Sequence, residues 1–188
     1  KFSPGESFRF ERAGEKEKII VGAGKCEIVF EQQTVEAVKG SNLDLKTADG
    51  CFEIAKVIEP VTLVRMCGRW GEETGGSGIF TVQNVNKYCP PGDPVSYPKE
   101  TNFDNHYHDC DEYWIMFEGR GIAVSEGKLY GIRTGDCLAT GMGHHHDFPI
   151  VHELVSGFWF ETTSEGQKRK GHLWEHKHGP AQPQAERE

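Results

Sequence analysis

His106-Tyr107-His108-Asp109-Cys110-Asp111-Glu112 decides how the rest of this chain is read. The pattern is H-x-H-x3-E, with Gly119 seven residues beyond the glutamate and Gly121 two further on. Residues two apart on a strand face the same way. His106 and His108 can therefore enter one cavity, with Glu112 at even spacing behind them. Two imidazoles and a carboxylate suit one borderline divalent transition ion, namely Mn, Fe, Co, Ni, Cu or Zn. The spacing predicts a single catalytic metal. The competing reading is a charged surface loop ahead of a strand at 113–117.

Composition bounds the alternatives. A chain of 188 residues can form one domain or two small ones, and either can bury a core. Hydrophobic residues at 36% and charged residues at 27% are ordinary for a soluble globular protein. The 23 glycines and 9 prolines imply many tight turns, hence an all-β chain. A net charge of −8 argues against nucleic acid and anionic membranes as partners. No apolar run approaches the roughly 18 residues of a membrane span. The opening Lys1-Phe2-Ser3-Pro4 lacks the apolar segment of a signal peptide. Six cysteines stand at 26, 51, 67, 89, 110 and 137 without a C-x-x-C pair, which fits reduced thiols of a cytoplasmic protein.

Short strands between turn signals fill the chain. The first set covers 7–12, 17–21, 25–30, 34–38, 43–46, 51–57 and 61–67. The second covers 79–83, 113–117, 122–125, 129–133, 137–140, 148–151 and 157–162. A glycine-rich turn at 71–78 separates them, a proline-rich loop at 90–94 follows, and the chain after Ser164 is a polar tail. The sets read as a repeat. Glu15 and Gly22-Ala23-Gly24 match Glu112 and Gly119-Arg120-Gly121, with two extra residues near Gln32-Gln33 lengthening the first hairpin. This alignment sets Arg9 and Glu11 opposite His106 and His108, and Cys51 opposite His146.

His106, His108, Glu112 and Gly119 resemble the first motif of the cupin superfamily, although Glu100 stands at its leading glycine. Gly135, Gly143 and His146 resemble the second motif, with Gly141 at a usual proline and Ile150 at a usual asparagine. The run His144-His145-His146 permits a slip by one or two, and the register favours His146 as fourth ligand. The resemblance implies an all-β, jelly-roll barrel holding the metal inside. It covers residues 100–162 well and the first half weakly. Two cupin units in tandem follow: a degenerate one without metal at 1–75, and a metal-binding one with the polar tail at 76–188. A homodimer is the assembly that the resemblance implies.

Parity from Glu112 places Trp114 and Met116 inward, joined by Phe148 and by Phe158 or Phe160. Glu161, Arg133 and Tyr130 are candidates for a catalytic base or a substrate clamp. Cys110 reads as a passive thiol, and His172, His176 and His178 as a solvated tail. Three functions fit a small-molecule ligand. The first is a metal-dependent isomerase, epimerase or lyase of a hydroxy-carbonyl compound in carbohydrate metabolism, working through an enediolate. The second is an Fe-, Ni- or Cu-dependent dioxygenase or oxidase of a chelating substrate. The third is a non-catalytic binding module.

Overall fold

Alternating burial along the chain resolves, in the computed structural model, into two five-stranded antiparallel sheets, with a separate two-residue pair of strands, Trp174–Glu175 and Gln182–Pro183. The structure describes residues 1–45, 50–71, 76–85, 92–163, 174–175 and 182–183. No helix occurs among them, and none is long and apolar enough to cross a membrane. The proline-rich loop at 90–94 lies partly outside the described residues, and His172, His176 and His178 lie wholly outside them.

The first sheet contains β1 (Phe8–Glu11), β2 (Lys16–Phe30), β3 (Gln33–Val38), β4 (Asn42–Leu45) and β5 (Cys51–Gly68). Its order is β1-β5-β2-β3, with β4 on β2. The second contains β6 (Gly76–Val82), β7 (Asp111–Ser125), β8 (Lys128–Arg133), β9 (Cys137–Thr140) and β10 (His146–Thr162). Its order is β6-β10-β7-β8, with β9 on β7. The chain divides into two compact units, Lys1–Trp70 with Ser77–Ile79 and Gly71–Gly76 with Phe80–Glu188. Ile19, Val21, Ile28, Ile54 and Val57 are in the core of the first. Trp114, Met116, Ala123, Phe148 and Val155 are in the core of the second.

Several expected short strands prove to be halves of long, bent ones. Gly24 and Gly119 bend β2 and β7 at φ 79° and 75° without ending them. A Cβ at either position would lie 2.0 Å from a carbonyl oxygen, of Pro60 and of Leu154 respectively. Only glycine combines that backbone angle with that approach.

These glycines correct the repeat alignment. β2, β3, β4 and β5 start at 16, 33, 42 and 51; β7, β8, β9 and β10 start at 111, 128, 137 and 146, each 95 later. No extra residues are needed near Gln32-Gln33. Gly24, not Gly22, corresponds to Gly119, because only Gly24 has the positive φ and the carbonyl against it. The counterparts of His106, His108, Glu112 and His146 are therefore Glu11, Ala13, Glu17 and Cys51. The pairing agrees: Glu11 faces Cys51 as His106 faces His146. Arg9 loses its expected place, and its guanidinium instead donates to the Cys51 thiol at 2.9 Å.

Candidate metal centre

β10 supplies His146 at its first residue, β7 supplies Glu112 at its second, and the segment before β7 supplies His106 and His108. His106 and His146 pair as an antiparallel bridge, each N–H donating to the other's carbonyl, at 3.3 and 2.9 Å. That pairing sets the two imidazoles side by side, with Nε2 atoms 3.2 Å apart. Glu112 Oε2 lies 3.1 Å from His108 Nε2 and 2.8 Å from His146 Nε2. One donor atom from each of the four residues lies within 4.8 Å of every other. The structure thus brings together all four residues expected as ligands. His108, Glu112 and His146 are buried, and the His106 side chain is 15% exposed.

Hydrogen bonds on the far side of each ring settle its orientation. His106 Nδ1 meets the Asp104 carbonyl at 3.0 Å, His108 Nδ1 that of Cys110 at 3.0 Å, and His146 Nδ1 that of His144 at 3.2 Å. A carbonyl only accepts, so each Nδ1 carries a hydrogen and each Nε2 offers its lone pair to the cluster. The facing lone pairs of His106 and His146 repel unless a cation lies between them. Donors bonded to one ion at ~2.1 Å sit roughly 3 Å apart in an octahedral shell. The observed 2.8–3.2 Å separations match that spacing, so the donor set fits a divalent metal and can hold one.

Without a metal, protons fill this role. Burial works against a charge on His108, yet its contacts with Cys110 and Glu112 outweigh burial and raise its pKa to about 10. Burial pushes the Glu112 carboxyl up, but bonds from His108, His146 and Trp114 hold it well below the usual carboxylate range.

Glu161 stands on β10 directly across from Glu112, and its Oε1 lies 3.4 Å from His108 Nε2. It is buried and forms a second potential ligand group with His108 and Cys110. The same pairing puts Trp159 opposite Trp114 and corrects the expected lining. Phe158 pairs with Ile115 and packs on Phe117 at 4.6 Å, so it faces away from Trp114. Phe160, opposite Tyr113, shares that outer face.

Two expected residues do not join the cluster. Tyr130 and Arg133 lie on β8 with exposed side chains, and Arg133 pairs across the sheet with Arg120. His144 and His145 also stay outside. The His144 ring is 3.7 Å from Glu126, and His145 Nε2 lies 2.6 Å from Asp93. Cys110 is buried with Sγ 3.3 Å from His108 Nδ1, and the five described cysteines are all unpaired.

Sequence reasoning missed a buried ion pair beside the centre. Lys99 Nζ and Asp147 Oδ1 lie 2.7 Å apart, with side chains 1% and 0% exposed. The adjacency of Asp147 to His146 was the available signal. In the first unit Glu17, the counterpart of Glu112, is gripped by the Arg65 guanidinium at 2.8–3.0 Å and by the N–H groups of Ala13 and Gly14.

No family model matches the chain. The protein y4oW of Sinorhizobium fredii is 45% identical over 175 residues, covering 93% of this chain and 81% of that protein. A 59-residue stretch is 37% identical to the HTH-type transcriptional activator RhaR of Yersinia pseudotuberculosis, covering 31% of this chain and 20% of RhaR. Among solved structures, a deletion mutant of Bacillus subtilis oxalate decarboxylase OxdC aligns with a TM-score of 0.54 at 9% identity, over 88% of this chain and 68% of that chain.

Proposed function

This chain belongs to the family of Sinorhizobium fredii y4oW and shares its fold with oxalate decarboxylase OxdC, and we propose that it is a metal-dependent cupin enzyme moving a proton on a small hydroxy-carbonyl compound. A sugar or sugar acid undergoing isomerisation, epimerisation or elimination is the substrate class. The observation that carries this reading is Glu161. The four-residue donor set already contains one carboxylate, and Glu161 adds a second buried one 3.4 Å from His108 Nε2.

His106, His108, Glu112 and His146 would hold the ion. Bound there, it supplies Lewis-acid polarisation of the substrate's oxygens. Glu161 removes the proton from the carbon beside the carbonyl and returns it, as a general base and then a general acid. Trp114 and Trp159, paired across the strands, keep water from the two carboxylates.

The test is hydrogen exchange. Metal-loaded protein is incubated in D2O with candidate hydroxy-carbonyl compounds, and deuterium entry at the carbon beside the carbonyl is followed by NMR. Glu161→Gln is expected to keep the metal and abolish exchange. Full exchange in that variant would remove Glu161 from the role.

A second reading rests on the aromatic interior. Phe80, Phe103 and Phe148 pack around Trp114 at centroid distances of 5.1–6.2 Å, an apolar surround beside the donor set that suits oxygenase chemistry on a chelating substrate. Iron or copper in protein purified without added metal favours this oxygenase reading. Turnover under strict anaerobiosis rejects it.

A further inference from the structure

Behind the paired imidazoles lies an ionic network that the donor set itself does not require. Asp147 accepts from Lys99 Nζ at 2.7 Å, from the Tyr97 hydroxyl at 2.8 Å and from the Phe148 N–H at 2.7 Å. Lys99 also donates to the Phe103 carbonyl at 2.5 Å. The Thr101 hydroxyl donates to the Phe148 carbonyl at 2.6 Å, and the Glu100 N–H to the Pro149 carbonyl at 2.7 Å. Together these bonds fasten segment 97–103 to the start of β10. His146 immediately precedes Asp147, and His106 follows Phe103 by three residues.

An ion pair this deeply buried is costly to desolvate, and apolar residues often replace such pairs without loss of stability. The chain itself carries out that replacement. The 95-residue offset sets Phe2 opposite Tyr97, Pro4 opposite Lys99 and Phe52 opposite Asp147. In the first unit Phe52 stacks on Phe10, the counterpart of Asn105, at 4.8 Å, with the Arg65 guanidinium over both rings. The counterparts of Lys99 and Asp147 there are thus an uncharged proline and phenylalanine. The charged version accompanies the imidazoles.

We propose that Tyr97, Lys99 and Asp147 are positioning residues of the metal centre. They hold the His106 and His146 backbones in register, so that the two Nε2 atoms stay at the 3.2 Å spacing one ion needs. The proposal rests on the reading of this cluster as a metal site.

Cobalt(II) is titrated into the full chain, and affinity and visible absorption are recorded. The variants are Lys99→Met/Asp147→Asn, Tyr97→Phe and His106→Ala. The double variant removes both charges together and leaves an amide to bond Tyr97 and the Phe148 N–H. It is expected to bind cobalt about 10- to 100-fold more weakly. Its spectrum is expected to move toward that of His106→Ala, while the urea midpoint of the metal-free protein holds. A folded double variant with wild-type affinity and spectrum would overturn the proposal. If the double variant fails to fold, Tyr97→Phe decides: weaker cobalt binding with a shifted spectrum supports positioning, and an unchanged titration rejects it. Wild-type protein that takes up no cobalt overturns the metal reading, and this proposal with it.

Discussion

Raising the pH of the metal-free protein from about 6 to about 8.5 takes the proton from a histidine in the unfolded chain. Folded, His108 keeps it. Burial opposes its charge, but the contacts with Cys110 and Glu112 prevail and raise its pKa to about 10. A group raised in the folded state contributes its full stability below its unfolded value, and loses it as pH climbs toward the folded value. The window therefore opens near pH 6.5 and closes near pH 10. At 1.36 kcal/mol per unit, the step from about pH 6 to about pH 8.5 costs the second unit roughly 2–3 kcal/mol. That is a large share of the ~5–15 kcal/mol that holds a domain folded. A bound metal reverses the sign, because it needs His108 neutral at Nε2 and is bound more tightly as protons leave. The assay is urea unfolding at both pH values, chelator-treated and zinc-saturated, followed by tryptophan fluorescence, to which Trp114 and Trp159 of the second unit contribute. Subtracting the same experiment on His108→Gln isolates this group from the rest of the chain. Metal-free stability that is flat or rising across the interval, or an identical slope with zinc present, would refute the reasoning.

Three other outcomes follow from the geometry. Arg65→Ala leaves the Glu17 carboxylate, whose side chain is 1% exposed, without its guanidinium, and should destabilise the first unit by about 3–5 kcal/mol in urea melts without changing zinc affinity. The Glu17 pKa is lowered: burial raises it, but the Ala13 and Gly14 N–H groups and Arg65 prevail, so in wild type this contribution is intact above about pH 4.5 and fades as pH falls further. Gly119→Ala meets the Leu154 carbonyl at 2.0 Å with φ at 75° and should lower the urea midpoint sharply, whereas Gly127→Ala, at φ 72° but with nothing within 4 Å, costs only the backbone strain of roughly 1–2 kcal/mol. Metal analysis should find Glu112→Ala and His146→Ala depleted and His144→Ala loaded, and a depleted His144→Ala would move the fourth ligand.

What the sequence disclosed was local. His106, His108 and Glu112 lie within seven residues, and the glycines that bend β2 and β7 announce themselves as glycines. Residues whose placement depends on pairing across the sheet were harder to read. Counting by twos from Phe148 puts Phe158 inside, but β10 shifts register four times between Asp147 and Gly157. Each bulge resets the alternation, and Trp159 and Glu161 emerge on the face shared with Trp114 and Glu112. Tyr130 and Arg133 attracted notice as polar groups on a strand, yet β8 leaves both exposed. Lys99 and Asp147 are 48 residues apart and share no motif. Only the folded chain shows that they meet beside His146.

The two units also show why one carboxylate can serve two ends. Glu17 and Glu112 occupy the same point of the 95-residue offset, each in a long central strand and each buried. A buried carboxylate needs a positive partner. In the first unit β5 supplies it: Arg65 sits opposite Ile19, and its guanidinium reaches Glu17. Ile19 corresponds to Trp114, whose partner on β10 is Trp159, so the second unit has no guanidinium at that point. Its carboxylate meets the Nε2 atoms of His108 and His146 instead. Arg65 is covalently part of its own unit and cannot leave, so Glu17 is committed to holding the sheet together. Imidazoles accept either a proton or a metal, so Glu112 is held by a cation that can be exchanged. A fixed cation in one unit and an exchangeable one in the other separate this position as scaffold from the same position as a site able to hold a metal.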